Sequence, residues 1–156
     1  MTYIRTHTAT PEDLSEVLAL GQQMHEESAY RHFNFDVPKC AMLVHTCITN
    51  PDTHFIRVAV SPNEEVIGLF MGYIAEHYFG TDLIASDYVW YVTPEYRGSR
   101  AGLTLLQDFQ KWAADHRAAE VYVGISSGVF AERTGALLKK LGFDLVGGNY
   151  KLRVVL

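Results

Sequence analysis

Cysteine is scarce in this chain, with only Cys40 and Cys47 among 156 residues. They stand seven positions apart in a segment that reads as helix, and two helical turns separate them by roughly 10 Å, too far for a disulfide within that helix. Both read as small buried hydrophobes. The seven histidines form no HExxH motif and no clustered Cys/His spacing, so no metal is expected. Basic residues are outnumbered, and 13 Lys and Arg against 18 Asp and Glu give a net charge of −5 with histidines neutral. That sign argues against a nucleic-acid partner or an anionic membrane surface, while leaving room for a local basic pocket. No apolar run approaches the about 18 residues of a membrane span, and "MTYIRTHTATPEDL" lacks the apolar segment of a signal peptide. A cytoplasmic address is therefore expected. Repeats, low-complexity stretches and long Gly/Ser linkers are absent too, which leaves a single domain over residues 1–156.

What is present is the balance of an ordinary globular protein, 48% apolar and 20% charged. "YIRT" (residues 3–6) reads as a short first strand. "TATPEDLSEVLALGQQM" opens a helix, with Thr10 as cap, Pro11 in the first turn, Glu12 and Asp13 at the positive end, and Leu14, Val17, Leu18 and Gly21 facing inward. "HEESAYRHFNF" reads as an irregular aromatic loop. Asp36 and Pro38 restart a helix that Asn50-Pro51 stops. "HFIRVAV", the turn "SPNEE" and "VIGLFMGYIAEHYF" form an antiparallel hairpin, and "LIASDYVWYV" a third strand. Leu105, Leu106, Phe109, Trp112 and Ala113 then make one apolar helical stripe. "EVYVGIS" is a strand, "FAERTGALLKKLG" a helix stopped at Gly142, and "FDLVGGNYKLRVV" closing strand material. The expected fold is α/β with a mixed, mostly antiparallel sheet and about four helices, in the order β-α-α-β-β-β-α-β-α-β.

The most informative stretch is "VWYVTPEYRGSRAGLTLLQDF", residues 89–109. A strand runs through a glycine-bearing turn straight into a helix, so free backbone N–H groups and the helix dipole point at one spot that suits a phosphate. Gly98 and Gly102 permit close approach of backbone, and Arg97 and Arg100 can supply charge-assisted hydrogen bonds. The lysine of a GxxxxGK[ST] loop and the GxGxxG fingerprint are both missing, which sets aside a nucleotide-triphosphate loop and a dinucleotide fold.

"YVTPEYRGSRAGLTLL", followed some forty residues later by "ALLKKLGF", resembles the GNAT superfamily of acetyl-coenzyme A-dependent N-acetyltransferases, and the order of elements agrees over essentially the whole chain. The resemblance implies that the diphosphate of acetyl-CoA sits on the amides of Arg97, Gly98, Ser99, Arg100, Ala101 and Gly102. It also implies a bulged strand whose backbone near Tyr91, Val92 and Thr93 holds the acetyl carbonyl and pantetheine arm. That strand would splay from "VYVGIS" to leave a wedge, with Ser126 and Ser127 beside the pantetheine or the leaving thiol. Departures stand out. Arg100 replaces the family's central glycine, Leu138 occupies the place of its usual tyrosine proton donor, and Ala131 stands near the place of a frequent asparagine. They keep a non-catalytic acyl-CoA-binding or regulatory protein open as the alternative to an enzyme.

Acetyl transfer needs a neutral amine, a polarised carbonyl and a route for protons. Strand alternation puts Ser86, Tyr88 and Trp90 on one face and Asp87, Val89 and Tyr91 on the other, unless a bulge intervenes. Asp87 is the leading candidate base, with Tyr88 second and Glu76 and His77 at the end of the preceding strand. In "MHEESAYRHFNF", where GNAT proteins form part of the acceptor pocket, Glu26 and Glu27 could attract a cationic amine and Tyr30, Phe33 and Phe35 could wall it. This loop also looks like acetyltransferases found among phage and prophage genes. The expectation is acetyl transfer to a primary amine by direct attack in a ternary complex, both cysteines lying remote from the wedge. Late strands or helices pair many relatives, so "FDLVGGNYKLRVVL" could form a homodimer.

Overall fold

The computed structural model describes residues 3–128 and 130–155. Strand β1 (Arg5–Thr8) lies two residues later than the sequence implied. Thr10 and Asp13 form a reciprocal capping box around a 3-10 turn at Pro11–Asp13, which leads into α1 (Leu14–Glu27). The helix continues through His25, Glu26 and Glu27, three residues expected to be loop. Val17 and Leu20 are its buried residues, so the inward face includes Leu20. Asp36 accepts from the Lys39 amide and caps α2 (Val37–Thr49), as its place before Pro38 implied.

Strands β2 (His54–Val60), β3 (Val66–Glu76) and β4 (Leu83–Val92) form an antiparallel meander, with β1 on the far side of β2. Helix α3 (Ala101–Asp115) then leads to β5 (Glu120–Tyr122), which pairs parallel to β4, and α4 (Ala131–Lys140) follows. The expected mixed, mostly antiparallel sheet with four α-helices is what forms.

Two apolar layers sandwich the sheet. Val17, Leu20, Val44 and Cys47 of α1 and α2 pack on Ile56, Val58, Leu69 and Met71. On the other face, Leu105, Leu106, Phe109 and Ala113 of α3 are fully buried against Phe55, Phe70 and Ala85. Each large side chain of that stripe contributes roughly 2 kcal/mol of burial. Gly72 is what lets α3 come so close, since a Cβ there would stand 2.7 Å from both the Phe109 ring and the Ser86 carbonyl.

The β3–β4 ladder slips at this point. Met71 pairs with Val89 but Gly72 pairs with Asp87, leaving Tyr88 as an extra residue without a rung. This bulge corrects the simple alternation. Ser86 now lies opposite Tyr73, on the face of Val89 and Tyr91, and Asp87 lies on the face of Trp90 and Val92.

Two expected strands are shortened or missing. Of "EVYVGIS" only Glu120–Tyr122 pairs, through Ile84 with Glu120, Ala85 with Val121 and Ser86 with Tyr122. Residues 144–155 form no strand, and Leu145, Val146, Tyr150, Leu152, Val154 and Val155 stay exposed. Alternating apolar residues make a strand only where a partner edge receives them, and here none does. Leu156, the last residue of the expected pairing segment "FDLVGGNYKLRVVL", lies outside the described residues. Gly142, at φ +89°, ends α4 as expected. Among the described residues, no helix is long and apolar enough to cross a membrane.

Candidate active site

The parting of β4 from β5 creates the site. Past Ser86 and Tyr122 the two strands share no rung, and a cavity of about 470 Å³ opens between them. Its walls come from β4, the loop before α3, the segment after β5 and the inner side of α4.

Asp87 stands at the fork. Its Oδ1 accepts the Gly124 amide at 3.0 Å, so the carboxylate holds the segment just beyond the ladder. Burial pushes its pKa above the usual 3.8, with the Gly124 hydrogen bond pulling the other way. A carboxylate that prefers a proton more than usual, in a cavity, is suited to accept one.

The loop before α3 presents its amides unevenly. Those of Arg97, Ser99 and Ala101 are engaged by the Pro94 carbonyl, the Tyr96 carbonyl and the Ser99 hydroxyl. Those of Gly98, Arg100, Gly102 and Leu103 have no acceptor among the described residues. Gly98 is at φ +88°, a conformation glycine adopts without strain. These free donors at the start of a 15-residue helix fit a diphosphate, the group the sequence motif implied.

Arg97 is placed differently from a free phosphate ligand. Its Nε donates to the Val92 carbonyl at 3.0 Å, and its two terminal nitrogens donate to the two oxygens of Glu27. The Tyr91 hydroxyl donates to the same carboxylate at 2.7 Å. Rings of Tyr91 and Phe130 lie 5.3 Å and 5.0 Å from the guanidinium carbon. The Arg97 hydrogen bonds hold the Glu27 carboxyl below its ordinary 4.5, while burial and then the Glu27 contact push the Tyr91 hydroxyl up. So Glu27, expected to receive a cationic amine, already holds a cation of this chain.

Tyr30 and Ser126 meet across the cavity, the tyrosine hydroxyl donating to the serine hydroxyl, and the Ala29 amide donates to the Ser127 carbonyl at 2.8 Å. This ties the loop after α1 to the segment after β5. Tyr88 also reaches the cavity, with its ring 4.6 Å from that of Tyr73. Burial is the main cause that raises its hydroxyl pKa, followed by Cys47 and Tyr73.

Other expected residues lie elsewhere. Glu76 pairs with Leu83 at the far end of the hairpin and does not line the cavity, nor does His77, whose ring lies tilted 4.2 Å from that of Tyr78. Glu26 is exposed on α1. Phe33 and Phe35 border a separate shallow pocket with His25. Thr93 stands outside the cavity, its amide bonded to the Ile67 carbonyl at 2.9 Å, whereas Tyr91 and Val92 line it. Neither cysteine lines it, and burial pushes the Cys47 thiol up to about 11. Leu138 is buried in the α3-side core, so its position does not face the cavity.

Sequence reasoning missed Gly124, Arg133 and Thr134, which line the cavity. The available signal was the basic residue in the first turn of "AERTGALLKK", directly behind the second wedge strand.

The sequence profile of the Acetyltransferase (GNAT) family matches residues 17–143 of this chain. No curated protein sequence matches it. Among solved structures it is similar to the aminoglycoside N-acetyltransferase AAC(6')-Iy in complex with CoA, at TM-score 0.79 and 13% identity over 99% of this chain and 96% of that one. The aminoglycoside 6'-N-acetyltransferase AAC(6')-Ih from Acinetobacter baumannii aligns at TM-score 0.73 and 18% identity over 99% of each chain. A transcriptional regulator from Bacillus halodurans aligns at TM-score 0.76 and 15% identity, over 97% of this chain and all of that one. At such identities the likeness is one of fold.

Proposed function

This chain belongs to the GNAT acetyltransferase family, and from that premise we propose that it transfers the acetyl group of acetyl-CoA to a primary amine, by direct attack in a ternary complex. The observation that carries the reading is Asp87. It is a half-buried carboxyl with a raised pKa, and it shares one cavity with the free amides that precede and open α3.

When bound, acetyl-CoA supplies the acetyl thioester. In our reading the amides of Gly98, Arg100, Gly102 and Leu103 hold its diphosphate, while Tyr91, Val92, Ser99, Ser126 and Ser127 shape the channel of the pantetheine arm. Ala101, expected among the cofactor contacts, is instead fully buried in the α3-side core and does not line the cavity. Asp87 takes the proton that the amine sheds, and Tyr88 beside it is the second candidate for that role. A protonated amine cannot attack, and a carboxylate whose pKa burial has raised accepts that proton more readily than an ordinary aspartate. Tyr30 walls the acceptor side. Glu27 serves through Arg97 and Tyr91, by fixing the cradle's flank, and no metal takes part. Acetyl-CoA is made inside cells, which makes the cytoplasm the compartment this reading requires.

The reading includes a homodimer. Residues 144–155 carry exposed apolar side chains and the cations Lys151 and Arg153, and β5 is an edge strand that bears Glu120. The tail of a second copy would complete that edge.

The test is calorimetry with acetyl-CoA, followed by thiol release with a panel of primary amines that includes aminoglycosides. Binding with amine-dependent thiol release supports the enzyme. Binding without release on any amine points to an acyl-CoA-binding protein, the reading that likeness to a transcriptional regulator favours. No binding at millimolar acetyl-CoA removes both.

A further inference from the structure

We propose that Arg133 of α4 is a diphosphate-binding residue of the cradle, filling the side-chain role that Arg97 cannot fill while Glu27 holds it. The inference rests on the acetyl-CoA reading above and adds a residue outside the two stretches that carry the family resemblance.

Arg97 has little left to offer a ligand. Its Nε, Nη1 and Nη2 each have an acceptor inside the fold, and its charge is balanced by Glu27. Its guanidinium is also flanked by the Tyr91 and Phe130 rings. Moving it would break a two-pronged ion pair and strand a half-buried carboxylate.

Arg133 is in the opposite condition. It lies in the first turn of α4, across the cavity mouth from the loop before α3. Its Nη2 stands 3.8 Å from the point where a Cβ of Gly98 would be, so it hangs over the glycine whose amide is free. Among the described residues it has no acidic partner, and neither does Arg100 on the other flank of Gly98. The cavity thus holds two uncompensated cations beside unpartnered N–H groups, in a chain of net charge −5. Two cations and a set of amides match the two charges of a diphosphate bridge. Arginine suits this place because its planar fork meets two phosphate oxygens at once.

Isothermal titration of wild type, R133Q and R133K with coenzyme A, dephospho-coenzyme A and pantetheine tests the assignment. Melting curves check that each variant folds. R133Q should weaken coenzyme A and dephospho-coenzyme A alike, by about tenfold, and leave pantetheine unchanged. R133K should recover part of that loss. A loss under threefold for R133Q overturns the proposal, as does equal weakening of pantetheine. A loss confined to coenzyme A also overturns it, because Arg133 would then meet the 3′-phosphate rather than the diphosphate. If the wild type binds neither coenzyme A nor its dephospho form, the functional reading itself fails and this inference falls with it. Normal wild-type binding with an indifferent R133Q sinks the inference alone.

Discussion

Glu27 at the end of α1 and Arg97 before α3 form a two-pronged ion pair, with the Tyr91 hydroxyl on the same carboxylate. The pair ties the end of α1 to the loop before α3. Glu27→Gln keeps the size and one acceptor but loses the charge, and should cost about 1–2 kcal/mol. For a chain of this length that is a fall in Tm of roughly 3–8 °C. The sign with pH follows from the depressed Glu27 pKa. Its stabilisation is present above the ordinary value of 4.5 and is lost as pH falls through the lower folded value. Melting curves between pH 7 and pH 3 should therefore converge for wild type and variant at the acid end.

Asp87→Asn separates catalysis from folding. The asparagine still offers an oxygen to the Gly124 amide, so the fork keeps its geometry. Turnover should fall by about 10²–10⁴, with loss of the limb on which wild-type activity rises with pH. Stability should move the other way. A carboxyl whose folded pKa is raised stabilises the fold below its ordinary 3.8 and loses that contribution as pH rises through the folded value. At pH 7 the variant should be at least as stable as wild type. Unchanged turnover would remove Asp87 as the base.

Gly72→Ala tests the bulge. The added methyl would meet the Phe109 ring and the Ser86 carbonyl at 2.7 Å, and backbone cannot yield as a flexible side chain can. A cost of about 1–3 kcal/mol is expected. The register beside Asp87 should suffer with it, so kcat should drop as well as Tm. A neutral result would mean that α3 has room to move away.

Removal of residues 148–156 tests the homodimer. These residues make no ladder in the described chain, so a monomeric core should keep its Tm within a few degrees. Light scattering should show wild type as a dimer and the truncated chain as a monomer. A wild type that stays monomeric at tens of micromolar would overturn the pairing.

What the sequence revealed were the local rules. Asp36 three residues before Lys39 is a cap readable in one line, and the α3 stripe from Leu105 to Ala113 is buried as its spacing implied. β2 and β4 have the limits of their β-branched runs. The rest depends on distant partners. The slip at Tyr88 arises where α3 presses on Gly72, and no window of β4 contains that information. Glu27 and Arg97 are 70 residues apart, so two charges expected to serve ligands could not be seen to serve each other. The motif did mark a loop with free amides beside the cavity, but half of the amides from Arg97 to Gly102 turn inward to close the loop. Residues 144–155 alternate like a strand, and alternation is silent about whether an edge is there to take them.

The ladder between β4 and β5 has consequences beyond the shape of the gap. Only three residue pairs join β5 to its neighbour, against nine between β3 and β4. The flap made of β5 and α4 is thus the weakest-stitched part of the sheet, and in hydrogen exchange its amides should trade protons long before those of β3. Such a flap can breathe outward while the meander stays whole, so a bulky guest enters from the side without the protein having to melt.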